Sequence, residues 1–314
     1  MNRPSNTVIV AFILVVLIGG TNFVAVRFSN RELPPFWGAG LRFVLAGTLL
    51  VAFALWRRIA LPLDSRLPGV ALLGIVNFGI AYALAYWGLL QAPSAMAATF
   101  VALTPLMTFV MAVALGMERF RWSGVGGGLI AVIGIALAFF DQLRVSVPPG
   151  ALLALFLQGV CVAVATIMIK RLPRADPIGT NAIAMLSGAA VLLALAAIVG
   201  ETPVLPSRPE VWLAFLYLVT LGGIGLFVGA VFLVRRWTAS ASSYITVLFP
   251  VVTVAVGAIL ASELVSGQFL AGTVLVMLGT YVGAFAQGLG RERGKPGEAH
   301  LISDASSQGS TQWQ

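Results

Sequence analysis

The chain has 314 residues, 59% of them hydrophobic and only 10% charged, with a mean hydropathy of +0.99. A water-soluble domain cannot enclose so much apolar surface behind so few charges, and the net charge of +8 reads as a bias between membrane loops and not as a nucleic-acid surface. One cysteine, Cys161, and one histidine, His300, exclude a disulfide framework and a metal centre built on them, so neither cofactor nor metal is expected.

The start, "MNRPSNTVIVAFILVVLIGG", pairs a short basic segment with an apolar stretch. It lacks a small-x-small cleavage site and leads into further apolar runs, so it reads as an uncleaved first helix. Runs of about 20 apolar residues cross roughly 30 Å of hydrocarbon as helix. Ten occur, at 7–27, 35–56, 68–90, 94–116, 122–140, 149–170, 177–199, 210–234, 239–261 and 267–289. The third and fourth are separated only by "QAPSA". No Asp, Glu, Lys or Arg lies between Arg66 and Glu118, from Trp237 to Ser262, or from Leu264 to Gly290.

With the N-terminus in the cytoplasm, the inside segments hold 14 basic residues and the outside loops 4 (Arg27, Arg31, Arg144 and Arg208), with Arg42 inside the second span. That is the bias the positive-inside rule demands, and it places both termini inside. Trp37, Trp56, Trp122, Trp212 and Trp237 fall near span ends, where interfacial anchors belong.

Two segments repeat. In "TFVALTPLMTFVMAVALGMERF" (99–120) and "YITVLFPVVTVAVGAILASELV" (244–265), an offset of 145 superposes Leu103 on Leu248, Pro105 on Pro250, Thr108 on Thr253 and Glu118 on Glu263. Five crossings per half is an odd number, so the second half must insert upside down. The expected fold is all-α and integral to the membrane, with ten transmembrane helices as two inverted five-helix repeats. Their bounds are 1–140 and 141–290, followed by a polar, disordered cytoplasmic tail at 291–314.

These features resemble the drug/metabolite transporter superfamily in its EamA-type two-repeat branch. The resemblance rests on "GGTNFVAVRF" ending span one, "LPPFWGAGLRFVLAG" opening span two, and "APSAMAATFVALTPLMTFVMAVALGMERF" across span four. The "WTASASSYITVLFPVVTVAVGAILASELV" repeat follows in span nine. It implies an inner-membrane exporter of amino acids, neutral and including aromatic ones, or of related metabolites. It also implies a cavity framed by spans one, three, four, six, eight and nine, with five and ten as support. Gly19-Gly20 and Gln158-Gly159 stand where the family commonly has Trp-Gly.

A proline in mid-helix removes a backbone hydrogen bond and bends the helix, so Pro105 and Pro250 are expected to be kinked hinges of two gates. Glu118 and Glu263 close the same helices, as solvated interfacial charges or as partners of a basic residue. Arg42, the one charge within a span, either snorkels outward or meets an anionic group, in a structural or gating role. Phe78, Tyr82 and Tyr86 follow at i, i+4, i+8 and share one helix face, beside Trp87; such a face suits a partly flat ligand. Polar span residues need partners, which adds Asn22, Asn77, Thr99, Gln158 and Tyr244 to the candidate substrate site. Gly124–Gly128, Gly225–Gly229 and Gly279–Gly283 are spaced for close helix packing.

All eleven acids lie outside the spans or at their ends. Ion coupling usually needs a carboxylate or histidine within the membrane, so a facilitator is expected, working by alternating access as a monomer on a small-molecule substrate in the bilayer. Intramembrane enzyme chemistry lacks its acids and bases here. A multidrug or organic-cation exporter is the alternative substrate class, and a channel or sensor the alternative mode. In a Cys161→Ser background, single cysteines at 32 and 144 should react with an impermeant maleimide on intact cells, and cysteines at 60 and 173 only after permeabilisation; any exchange between these sets contradicts the orientation.

Overall fold

A computed structural model describes residues 6–117, 120, 122–140, 147–173, 175–236, 239–263 and 265–285. Among these, all regular structure is helical. Helices α1 (Asn6–Ser29) and α2 (Pro35–Trp56) are unbroken, whereas α3 (Leu67–Gly74) continues through a π-helical segment, Ile75–Ile80, into α4 (Ala81–Gly88). Next come α5 (Ser94–Ala102), α6 (Thr104–Ala114), α7 (Trp122–Phe140), α8 (Pro149–Arg171) and α9 (Pro177–Val199). Then α10 (Pro209–Val219) passes through a second π-segment, Thr220–Gly225, into α11 (Leu226–Arg236). The last elements are α12 (Ala239–Leu260) and α13 (Gly267–Thr280), which ends in a third π-segment, Tyr281–Phe285. Among the described residues seven helical spans are long and apolar enough to cross a bilayer, and Trp122–Ala138, Ile245–Leu260 and Gly267–Gly283 are apolar stretches of the remaining helices. Large apolar side chains such as Leu49, Leu129, Ile198, Leu213 and Ile259 point outward, as lipid-facing residues must.

Proline sets many of the starts. Pro35, Pro149, Pro177 and Pro209 each occupy the first turn, where a missing N–H costs nothing. The Asp176 carboxylate caps α9 by accepting from Ile178 N at 2.8 Å, and the Ser266 hydroxyl caps α13 by accepting from Phe269 N at 3.1 Å. Glu201, past the end of α9, accepts from Phe36 N and Trp37 N at the start of α2, at 3.2 and 2.6 Å. Glu32, before α2, accepts from Ser207 N, Ser207 Oγ and Arg208 N at the start of α10. The Ser207 hydroxyl, helped by these amides, holds the Glu32 carboxyl below its ordinary value. One end of the bundle is thus stitched by acids from one half of the chain onto helix starts of the other.

Packing partners recur with the halves exchanged. Helix α2 packs on α9, and α7 on α13. Helix α1 packs on α12 and on the α10–α11 span, while α8 packs on α6 and on the α3–α4 span. The α7–α13 seam is backbone on backbone. A Cβ on Gly127 or Gly134 would come within 2.2 Å of Gly283 N or 2.6 Å of Val276 N, and one on Gly272 or Gly279 within 2.4 Å of Ala138 N or 2.5 Å of Ala131 N. Gly272 and Gly279 are the 145-offset positions of Gly127 and Gly134. The glycine pairs read from spacing divide differently. Gly279 and Gly283 both sit at close contacts, but a Cβ on Gly128 would meet nothing within 4 Å, and Gly225 has looser surroundings than Gly229.

The two prolines are accommodated differently. In the fourth span the α-helix is interrupted at Leu103, and Pro105 stands in the first turn of α6. In the ninth span α12 stays α-helical straight through Pro250. Of the two, only Pro105 sits at a break in the helix. Three residues on, the one proton of the Thr253 hydroxyl lies between Gly20 O of α1 at 2.7 Å and Phe249 O at 2.9 Å, tying the proline turn into its neighbour, while Thr108, its 145-offset mate, has a buried hydroxyl without a partner.

The seam predicts its own test. Gly134→Val and Gly279→Val should each lower thermal stability in detergent by about 1–3 kcal/mol through overpacking, whereas Gly128→Ala should leave the melting temperature unchanged. Equal, negligible shifts for all three would contradict the packing.

Candidate functional site

The two longer π-segments, Ile75–Ile80 and Thr220–Gly225, are separated by the same 145 residues as the prolines. A π-turn widens the helix and redirects a carbonyl from its usual partner. In the second segment Gly222 O takes two side-chain donors: Asn22 Nδ2 of α1 at 3.1 Å and Arg42 Nη2 of α2 at 3.1 Å. A Cβ on Gly222 would lie 2.1 Å from Asn22 Oδ1, so any larger residue must displace the Asn22 amide.

Arg42 is 0% exposed. Snorkelling is thereby corrected: the side chain turns into the bundle, where the carbonyl and aromatic rings replace water. Its Nη1 donates to the Tyr86 hydroxyl at 3.3 Å, and its guanidinium carbon lies 4.9 Å from the Phe43 ring centroid and 5.3 Å from that of Tyr82. Phe78 stacks with Tyr82 at 6.1 Å, Phe43 meets Tyr82 edge-on at 4.6 Å, and Phe227 of α11 closes on Phe78 at 5.2 Å. The Tyr217 hydroxyl donates to Ile18 O at 2.7 Å nearby on α1. Among the described residues no carboxylate pairs with Arg42, and its Nε together with Asn22 Oδ1 are buried without partners. A desolvated guanidinium without a counter-ion costs several kcal/mol, only part of which is offset by cation–π contacts of about 2 kcal/mol. The cluster therefore carries uncompensated positive charge next to an aromatic wall.

A second polar cluster lies at the end of the bundle where α1 finishes. Ser262 adopts φ 51°, in the left-handed region, just past α12. This turns Glu263 back over the helix end, where its carboxylate is 4% exposed. There it accepts from Arg27 Nη1 of α1 at 2.5 Å, from Ser94 N at 3.1 Å and from Ser94 Oγ at 2.8 Å. One carboxylate thus clasps the end of α1 and caps the start of α5. Glu263 follows the end of span nine and Ser94 opens span four, so these two helices run in opposite directions.

The residues expected from the sequence are only partly brought together. Asn22, Phe78, Tyr82, Tyr86 and Arg42 converge. Asn77 is half-buried in the first π-segment, at the 145-offset position of Gly222. Thr99 instead donates to Ala95 O at 2.8 Å and lies 3.4 Å from the Thr273 hydroxyl of α13, which makes it a packing residue. Trp87 is 37% exposed and lies against Gly150 at the start of α8. Gln158 is buried on α8 with its Oε1 unpartnered. The Tyr244 side chain and the whole of Glu118 lie outside the described residues. Gly222, Arg27 and Ser94 were missed. The "TLGGIG" run gave a signal for a weakened helix, and "PS" at 93–94 one for a helix start, but neither names a partner.

The EamA-like transporter family matches residues 6–140 and again 149–284. An Escherichia coli K12 protein described as an uncharacterized inner membrane transporter, YedA, is 31% identical over 308 residues, covering 95% of this chain and 96% of its own. A Salmonella typhimurium protein named "Probable amino-acid metabolite efflux pump" is 25% identical over 288 residues, covering 87% and 93%. A crystal structure with 22% identity shares the fold at a TM-score of 0.63, over 92% of this chain and 99% of that one. Matched twice along its length, the chain belongs to the EamA-like transporter family.

Proposed function

We propose that the protein is a ten-span inner-membrane facilitator that exports neutral amino acids, aromatic ones among them, by alternating access. The observation that carries the substrate class is Arg42: a buried guanidinium with an unused Nε and no acidic partner among the described residues. A carboxylate entering beside it supplies the missing counter-charge, and the Phe43–Phe78–Tyr82 wall receives an apolar or aromatic side chain. Asn22 Oδ1 is an acceptor for the substrate ammonium. The metabolite-efflux name of one relative agrees with this class. The same guanidinium repels an organic cation, which weighs against the multidrug alternative.

Two inverted repeats supply the mechanism. They are supported by the doubled family match, by π-segments and glycine seams 145 residues apart, and by the opposed directions of α5 and α12 at the Glu263 clasp. An assembly of two antiparallel halves opens toward either side at similar cost. No Asp, Glu or His lies inside a span, so no group there takes up and releases a coupling proton. Both termini lie in the cytoplasm on this reading, which the basic-residue bias supports. A single chain in the bilayer, without cofactor, suffices for this cycle.

Proteoliposomes preloaded with L-phenylalanine should show saturable counterflow of labelled L-phenylalanine, inhibited by 3-phenylpropionate more strongly than by phenethylamine. Arg42→Gln should lower kcat/KM about ten- to a hundred-fold, the worth of one charged hydrogen bond, and Gly222→Ala should do the same by expelling Asn22. Stronger inhibition by phenethylamine favours the cation exporter and contradicts the amino-acid reading. A pH gradient alone should produce no uphill accumulation; accumulation against the substrate gradient would overturn the facilitator mechanism.

A further inference from the structure

Beside the Glu263 clasp the bundle holds a cavity of about 180 Å³. Its apolar walls are Phe28, Leu89, Leu90 and Ala261, and its polar lining is Arg27, Asn30 and Arg31. No acid lines it. Arg31 is exposed, with its guanidinium carbon 3.9 Å above the Phe28 ring, and no carboxylate pairs with it among the described residues. Arg27 turns one edge to Glu263 while keeping 35% of its side chain exposed. The cavity floor is linked to the deep cluster, since Asn30 Nδ2 donates to Tyr86 O at 2.9 Å and the Tyr86 hydroxyl meets Arg42.

We propose that this pocket is a vestibular carboxylate site, in which the anion bridges Arg31 and Arg27, competes with Glu263 for Arg27, and thereby releases the clasp on the start of α5. Two guanidiniums in a partly enclosed, acid-free pocket recognise a carboxylate through paired charged hydrogen bonds. Phe28, Leu89 and Leu90 accept the apolar remainder of the ligand. Displacing Glu263 removes both the ion pair and the cap of α5 in one step, because the same carboxylate makes both. Arg42 and this pocket then form two stations for one carboxylate, joined through Tyr86. The ligand class rests on the amino-acid reading above, but the site and its clasp are tested independently of transport.

The test uses the full chain in nanodiscs, where both faces are open to reagent. In a Cys161→Ser background, Ala95→Cys places a thiol one residue beyond the clasp, at a position 3% exposed. Its reaction with a hydrophilic maleimide should be slow, accelerated about ten-fold by saturating 3-phenylpropionate or L-phenylalanine, and unaffected by phenethylamine. Glu263→Gln should give the accelerated rate without ligand. Arg31→Gln, on the exposed rim, should keep the slow rate and lose the response to both carboxylates. The proposal is overturned if phenethylamine accelerates equally, if Arg31→Gln responds like the parent, or if Glu263→Gln, shown monodisperse by gel filtration, labels no faster. Absence of counterflow with the labelling response intact would remove the transport reading alone; counterflow with no labelling response would remove the vestibule alone.

Discussion

The structure turns on one unusual acceptor. A carbonyl in mid-span serves first the helix that carries it, and its second lone pair can take one further donor, as Ile18 O and Gly20 O do here. Within the π-segment at Thr220–Gly225, Gly222 O accepts from side chains of two neighbouring helices, Asn22 of α1 and Arg42 of α2. That one oxygen allows a guanidinium to be stored at full burial, because a carbonyl dipole and aromatic faces replace part of its lost hydration. It also fixes α1, α2 and the α10–α11 span at a common point. Arg42 without Gly222 O would be an expelled charge; Gly222 O without Arg42 would be an under-used polar group.

The two halves share a plan but not every contact. The π-segments and the glycine seam keep a single offset, yet Pro105 stands at a helix break and Pro250 within an unbroken helix. The Thr253 hydroxyl reaches carbonyls of two helices where Thr108 is unpartnered. Gly222 is the acceptor in one half where the other has Asn77. Glu263 clasps one end of the bundle.

Much of the fold was legible in the sequence, because its determinants are local. Apolar run length, proline at helix starts and the 145-residue recurrence place helices to within a few residues at most ends. The aromatic face of Phe78, Tyr82 and Tyr86 followed from helical period, and the isolation of Arg42 from the lack of other charges within the spans. The rest depended on partners distant in sequence. Nothing in the charge pattern says that Arg42 turns inward, since the decision belongs to a carbonyl 180 residues away. Thr99 and Trp87 share helices with site residues, but the helix rotation that directs them to α13 and to the surface is set by tertiary packing. The Glu263 clasp needed a left-handed Ser262, a conformation that residue type does not announce. Glycine spacing likewise marks where helices are able to approach, and the other helix decides which glycine is used.

The central claim is that the buried guanidinium awaits a carboxylate carried by the substrate. A structure of the protein with bound L-phenylalanine tests it most directly. The account predicts a carboxylate oxygen at about 2.7–3.0 Å from Arg42 Nε, the ammonium facing Asn22 Oδ1, and the ring against Phe78 and Tyr82. A bound ligand whose carboxylate lies elsewhere, with the Arg42 contacts to Gly222 and Tyr86 unchanged and Nε still unpartnered, would contradict it.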